Sequence, residues 1–263
     1  MPHISSRQNP LVARYRAARD HRDRGAVLLD GVHLVGDAVA AGLSLRDVVV
    51  SADSADRADV GELLRRLSRA RVPVTTASPA VMAALSPVRS PSAVVALIDR
   101  PSAAESRVFG GASPLVVVAA DIQDPGNLGA VVRVAEAAGA TGVVTAGRSA
   151  DPYGWKAIRG SMGSALRLPI CSAPDAAAAV ETGRRRGCRI LATTPRDGRS
   201  LFAVDLTGPS AIVVGGEGSG LPDAIVESAD GRITIPMQTP VESLNAAVSA
   251  AVILYEARRQ RSA

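Results

Sequence analysis

Residues 115–120 read Leu-Val-Val-Val-Ala-Ala, six apolar side chains with no polar break, and the run stops at Asp121. A strand with one wet face alternates polar and apolar residues, so an unbroken run fits a strand buried on both faces, the usual setting of a parallel sheet. Parallel neighbours need crossover segments. The chain supplies them: further strand-like runs at 142–145, 189–192, 211–214 and 232–235 alternate with helical stretches, one of which holds the alanine run 176–179. This order implies an α/β domain around a mostly parallel sheet. No internal repeat is found.

An earlier segment has its own alternation. Residues 26–29 read as a strand, 32–41 as a helix, 47–50 as a strand and 60–70 as a helix with Leu63, Leu64 and Leu67 at helical spacing; strands are expected near 72–75 and 93–98. Between the two segments, residues 100–114 carry Pro101, Gly110 and Gly111 and little periodicity. The expected organisation is a smaller α/β domain over residues 1–100, a linker over 101–113 and a larger α/β domain over 114–263.

With 263 residues, 47% of them hydrophobic and 21% charged, the chain has material for a sizeable core, which excludes disordered and collagen-like classes. Its apolar runs end short of the roughly 20 residues that cross a bilayer, and residues 1–24 hold no apolar signal core, so a soluble cytoplasmic protein without a membrane partner is expected. Cys171 and Cys188 match no metal-ligand spacing, and His3, His21 and His33 are dispersed. No metal is expected, and both thiols read as reduced core residues.

Lys156 is the only lysine among 30 basic residues; all the others are arginine. Guanidinium groups grip phosphate bidentately, which leans toward a polyanionic partner. Residues 1–24 concentrate this charge, with Arg7, Arg14, Arg16, Arg19, Arg22 and Arg24 against Asp20 and Asp23, a net +4 in a chain whose formal total is +5. The segment is either a solvated basic helix or a phosphate-binding arm. Aromatic residues, at 2%, are too few for a surface that stacks unpaired bases, so a bound nucleic acid would be held by backbone and shape.

Three constellations carry chemistry. In the first, the strand ending at Asp121 turns at Pro125-Gly126, and a helix starts near Asn127 as N-cap. Gly129 and Arg133 stand one helical turn apart, which leaves open space over the guanidinium; the alternative is a surface pair of Arg133 with Glu136. The second is Gly215-Gly-Glu217-Gly-Ser-Gly220 after the run 211–214, a turn whose glycines allow close backbone approach to a ligand. It lacks the Lys-Ser/Thr of a Walker A loop and the spacing of a dinucleotide fingerprint. In the third, Ser243 reads as the N-cap of a final helix whose apolar face is Leu244, Ala247, Val248, Ala251, Val252 and Tyr255, either core or subunit interface. Asn245 falls in its first turn, off that face.

Together, in this order and spacing, the three resemble the SpoU/TrmH-like family of SPOUT RNA methyltransferases. Asn127, Gly129 and Arg133 match its first motif, Gly215, Glu217 and Gly220 its second, and Pro236, Ser243, Leu244 and Asn245 its third. Ala246 and Ala247 stand where the family often has valine and serine. Ile4-Ser-Ser6, Asn9-Pro10 and Asp30-Gly-Val-His-Leu-Val35 look like the L30e-like RNA-binding domain that many members carry in front.

The resemblance implies methylation of a ribose 2′-hydroxyl in structured RNA, more ribosomal than transfer RNA, with S-adenosylmethionine as donor. It also implies a homodimer with a C-terminal trefoil knot. By the same analogy Arg133, Asn127, Glu217, Ser243 and Asn245 form the catalytic set. Thr193, Gly215, Gly216, Gly220, Ile235, Met237 and Leu244 surround the cofactor. Arg7, Arg14, Arg16, Arg19, Arg22 and Arg159 are candidates for RNA phosphates. The alternatives are a noncatalytic RNA-binding protein that retains the fold and a small-molecule enzyme using the glycine turn.

Overall fold

The computed structural model describes residues 1–262 apart from positions 217 and 219, and it divides the chain into two compact units. The first comprises residues 1–101 with 153–158, the second 102–152 with 159–263.

The first unit is built on a mixed five-stranded sheet in the order β1-β4-β3-β5-β2. Its strands are β1 (His3–Ile4), β2 (Ala26–Asp30), β3 (Leu45–Ser51), β4 (Val74–Ala77) and β5 (Val94–Asp99), and its helices α1 (Pro10–Arg19), α2 (Val32–Ala40), α3 (Ala58–Arg69) and α4 (Pro79–Leu85). Within the basic N-terminal segment, residues 10–19 form a helix that packs through one face. Asn9 caps α1 by accepting from the Leu11 amide, Pro10 opens it, and Val12, Tyr15 and Ala18 are buried. Tyr15 is fully enclosed beside Leu28, Met82 and Leu97.

The second unit holds α5 (Glu105–Val108), β6 (Leu115–Ala120), α6 (Pro125–Ala138), β7 (Gly142–Ala146), α7 (Trp155–Gly160) and β8 (Ile170–Ala173). It continues with α8 (Ala176–Arg185), β9 (Arg189–Thr193), β10 (Arg199–Ser200), β11 (Ser210–Gly215), α9 (Asp223–Ser228), β12 (Gly231–Thr234) and α10 (Ala246–Arg261); of α7, residues up to Ile158 group with the first unit. Its seven strands pair in parallel, in the order β10-β12-β9-β11-β6-β7-β8. Strand β6 has every residue buried, as its unbroken apolar run requires. Residues 101–113 contain α5, and Val108 and Phe109 are buried in this unit's core.

The strand order decides where a site can form. From β6 the chain steps outward through β7 and β8, then crosses to the other side for β9 and inserts β11 directly beside β6. The carboxyl ends of β6 and β11 flank this reversal, and the cavity described below is lined from the neighbouring ends of β9, β11 and β12. Helix α10 packs along α6. Its far end is pinned: Arg261 donates to the carbonyls of Ser113, Leu206 and Gly208 at 2.5–2.7 Å, and Gln260 donates to Val204 and accepts from Leu206. Among the described residues no helix is long and apolar enough to cross a membrane. Both cysteines are free; Cys188 is buried and Cys171 half-buried.

Candidate functional site

Helix α6 begins earlier than the sequence suggests. Asp124, not Asn127, is its N-cap: the Asp124 carboxylate accepts from the Asn127 amide at 2.7 Å, and Pro125 takes the first helical position, where its missing N–H costs nothing. Asn127 therefore sits inside the first turn, and its side chain reaches another element. Its Oδ1 accepts a hydrogen bond from Nδ2 of Asn245 at 3.1 Å.

Asn245 in turn is the cap of α10. Its Oδ1 accepts from the amides of Ala247 at 2.9 Å and Val248 at 3.3 Å. Ser243, expected in that role, lies exposed two residues ahead. An asparagine amide can accept from the helix start and donate to Asn127 through separate atoms, which accounts for the later start.

The apolar face of α10 also differs from expectation. Ala246, Ala247, Ala250, Ile253, Leu254 and Ala257 are its buried face, whereas Val248 and Tyr255 are 47% and 52% exposed and Ala251 and Val252 half-buried. The alanine-rich side of the helix meets the core.

The glycine turn serves backbone packing first. A Cβ on Gly215 would collide with the backbone of Gly220 and Leu221, and one on Gly216 with the Asp121 carbonyl oxygen, so the ends of β6 and β11 close together only without side chains there. Gly216 bridges to Gly220, and Gly218 and Gly220 adopt left-handed φ of +90° and +64°. Glu217 lies outside the described residues.

Between this turn, the end of β9 and the segment leading into α10 is a cavity of about 610 Å³. Thr193, Gly215, Gly216 and Gly220 line one side, and Ile235, Met237 and Leu244 another, with Ser243 and Asn245 also in the wall. Val214, Val226 and Ile253 extend the apolar part. The Thr193 hydroxyl is committed to the Val213 carbonyl at 3.0 Å.

Arg133 is exposed on α6 and does not line the cavity. The alternative pairing with Glu136 is not formed, because Arg167 takes that carboxylate bidentately at 2.7 Å. The guanidinium of Arg133 has no partner among the described residues. Gly129 opens no space above it: Gly129 is buried, with its Cα 3.5 Å from where a Cβ on Gly160 would lie. The same point is 3.2 Å from the Gly126 carbonyl, so the Arg159-Gly160 backbone rests on the first turn of α6. Arg159 is exposed there.

In the first unit the basic side chains are partly engaged. Arg14 pairs with Asp47 at 2.6 Å, Arg19 and Arg22 share Asp20 at 2.8 and 3.1 Å, and Arg7 donates to the Ala80 carbonyl at 3.0 Å. Arg16 is exposed and has no partner among the described residues.

The geometry thus brings the first and third constellations together through Asn127 and Asn245, and the second and third around one cavity. Residues 114–255 match the signature of the SpoU rRNA Methylase family, more than half of the chain. The chain belongs to the SpoU rRNA methylase family. An uncharacterized tRNA/rRNA methyltransferase of Synechocystis is 33% identical to it over 98% of this chain and 94% of its own length. The 23S rRNA (uridine(2479)-2′-O)-methyltransferase of Streptomyces viridochromogenes is 32% identical over 92% of this chain and 86% of its own. The fold is similar to the crystal structure of the SpoU methyltransferase AviRb from the same organism in complex with AdoMet, with a TM-score of 0.86 at 30% identity, covering 97% of this chain and 99% of that one. For this SpoU-family chain, sequence reasoning missed the Asp124 cap and the turn 194–198 at the cavity wall; the Pro195 and Asp197-Gly198 pattern was the available signal for the latter.

Proposed function

We propose that this SpoU-family chain transfers a methyl group from S-adenosylmethionine to a ribose 2′-hydroxyl in structured RNA, ribosomal in preference to transfer RNA. The observation that carries the reading is the Asn245–Asn127 hydrogen bond, which joins two family motifs at the wall of a cavity edged by the third. The cavity fits the cofactor: its volume lies in the range of about 300–1,000 Å³ common to small-molecule sites, and it combines an apolar wall with polar backbone. Ile235, Met237 and Leu244 suit a flat purine, and the strand ends at Thr193 and Gly215 offer backbone groups for hydrogen bonding. The cofactor, when bound, supplies an activated methyl group.

A ribose hydroxyl is a poor nucleophile, so the protein must align it and assist loss of its proton. Guanidinium groups stay protonated at neutral pH, so Arg133 acts as a cation: it positions ribose and phosphate and stabilises the developing alkoxide, while the proton leaves through phosphate or water. Asn127, Ser243 and Asn245 order the site, with Glu217 in the same set by family likeness.

We read the chain as a homodimer. Exposed Val248 and Tyr255 with half-buried Val252 form an i, i+4, i+7 stripe on α10. Arg133, outside the cavity of its own chain, then serves the cavity of the second copy. On the family resemblance, residues 1–100 are an L30e-like RNA-binding domain whose arginines and Arg159 meet phosphates, the C-terminal fold is a trefoil knot, and the enzyme acts in the cytoplasm. The test is a map of 2′-O-methyl groups in RNA from cells with and without this chain. Loss of a ribosomal site is expected; unchanged ribosomal and transfer RNA maps would overturn the reading.

A further inference from the structure

Four charged side chains line the cavity, and none has an ionic or hydrogen-bonded partner among the described residues. Arg196 and Asp197 stand in the turn after β9, Asp223 opens α9 and Arg232 lies on β12. Many arginines elsewhere reach an acid, as Arg14, Arg46, Arg57, Arg167 and Arg259 do. Among the described residues, two cations and two anions without a partner around one cavity complement a ligand that carries both signs. An isolated phosphate would call for cations alone, and a metal ion for anions alone.

The turn that carries Arg196 and Asp197 is latched at both ends to β12. The Thr194 amide donates to the Ile233 carbonyl at 2.9 Å, the Gly198 amide to the Thr234 hydroxyl at 2.9 Å, and that hydroxyl to the Thr194 carbonyl at 3.1 Å. A Cβ on Gly198 would collide with the hydroxyls of Thr234 and Thr194, so only glycine permits this closure. Between the latches, Asp197 is held at φ +62°, in the left-handed region that few non-glycine residues adopt. A fixed turn presents an acid and a base side by side, so little order has to be imposed when a ligand arrives.

We propose that Arg196 and Asp197 hold the amino-acid end of S-adenosylmethionine, the guanidinium taking its α-carboxylate and the Asp197 carboxylate its α-ammonium. This rests on the cavity being the cofactor site. Arginine and carboxylate match in planar, two-pronged geometry, and charge-assisted bonds of about 1.5–3 kcal/mol correspond to roughly 10- to 100-fold in affinity each.

Calorimetry on the full chain with two probes tests it: S-adenosylhomocysteine, which keeps the amino-acid end, and 5′-methylthioadenosine, which lacks it. Arg196→Gln and Asp197→Asn, the latter suited to the left-handed turn, should each weaken S-adenosylhomocysteine by about 10- to 100-fold and leave methylthioadenosine unchanged. Equal weakening of both probes, or no change in either, would overturn the proposal. So would a selective loss seen in Asp223→Asn and Arg232→Gln but not in the first pair. Failure of the unaltered chain to bind either probe would instead overturn the cofactor reading of the cavity, and this proposal with it.

Discussion

Asn245 and Asn127 are joined side chain to side chain, Nδ2 to Oδ1 at 3.1 Å, across 118 residues of sequence. The same Asn245 amide caps α10 through its oxygen, so one side chain both starts that helix and ties it to the first turn of α6.

The two jobs of Asn245 can be separated. Asn245→Asp keeps the oxygen that accepts from Ala247 and Val248 but loses the donor to Asn127, so methyl transfer should fall at least tenfold with stability nearly unchanged. Asn245→Ala loses both and should also cost about 1 kcal/mol, the usual worth of a cap. Denaturant midpoints set against single-turnover rates check the split. Equal destabilisation by the two substitutions would contradict the separate roles.

Arg133→Ala should abolish methyl transfer and leave cofactor affinity unchanged, because Arg133 does not line the cavity of its own chain. Mixing it with Asn245→Ala should restore part of the activity, since a mixed dimer pairs an intact Arg133 with an intact Asn245 in one of its sites. Arg133→Lys should keep a residual rate, with charge retained but the planar fork lost. A mixture as inactive as its components would show that Arg133 does not act across the subunit contact.

The legible part of the fold was the set of elements with a strong physical signature. The unbroken run of β6 could be placed from composition, and so could the parallel character of its sheet. Sheet order was not legible: nothing local says that β11 slips between β9 and β6, because that depends on long-range packing. Two-residue strands such as β1 and β10 carry no pattern to read. Helix starts went astray where two capping residues compete, Asp124 with Asn127 and Asn245 with Ser243, since each type caps nearly as well and tertiary contacts decide. The site residues showed as types in order, but the cavity wall at Arg196 and Asp197 did not, because an ordinary turn looks the same whether or not it faces a ligand.

The buried Glu256 ties α10 to itself. Hydrogen bonds from Arg259 and Gln260 at 2.8 Å hold its carboxyl down to about 2. A carboxylate whose folded value lies below its unfolded one stabilises fully above the unfolded value, near 4.5, and the contribution is lost as pH falls toward 2. Urea unfolding of the protein and of Glu256→Gln should therefore differ at pH 7 and converge near pH 2. A gap that stays constant over this range would rule out the charged interaction as its source.

The exposed stripe on α10 gives a test of assembly. Val248→Asp with Tyr255→Arg places charge on two surface positions, where the folded monomer should lose no more than about 0.5 kcal/mol each. Light scattering should report a fall from two chains to one. A persistent dimer would place the subunit contact elsewhere.

If the reacting atom is a ribose oxygen, the position of transferred label reveals it. Purified protein, methyl-labelled S-adenosylmethionine and ribosomal RNA are combined, and the RNA is then digested with alkali, which cannot cut beside a 2′-O-methyl group. Label is expected in alkali-resistant dinucleotides and should be lost with Arg133→Ala. Label released as mononucleotides, which places the methyl on a base, would contradict a ribose target.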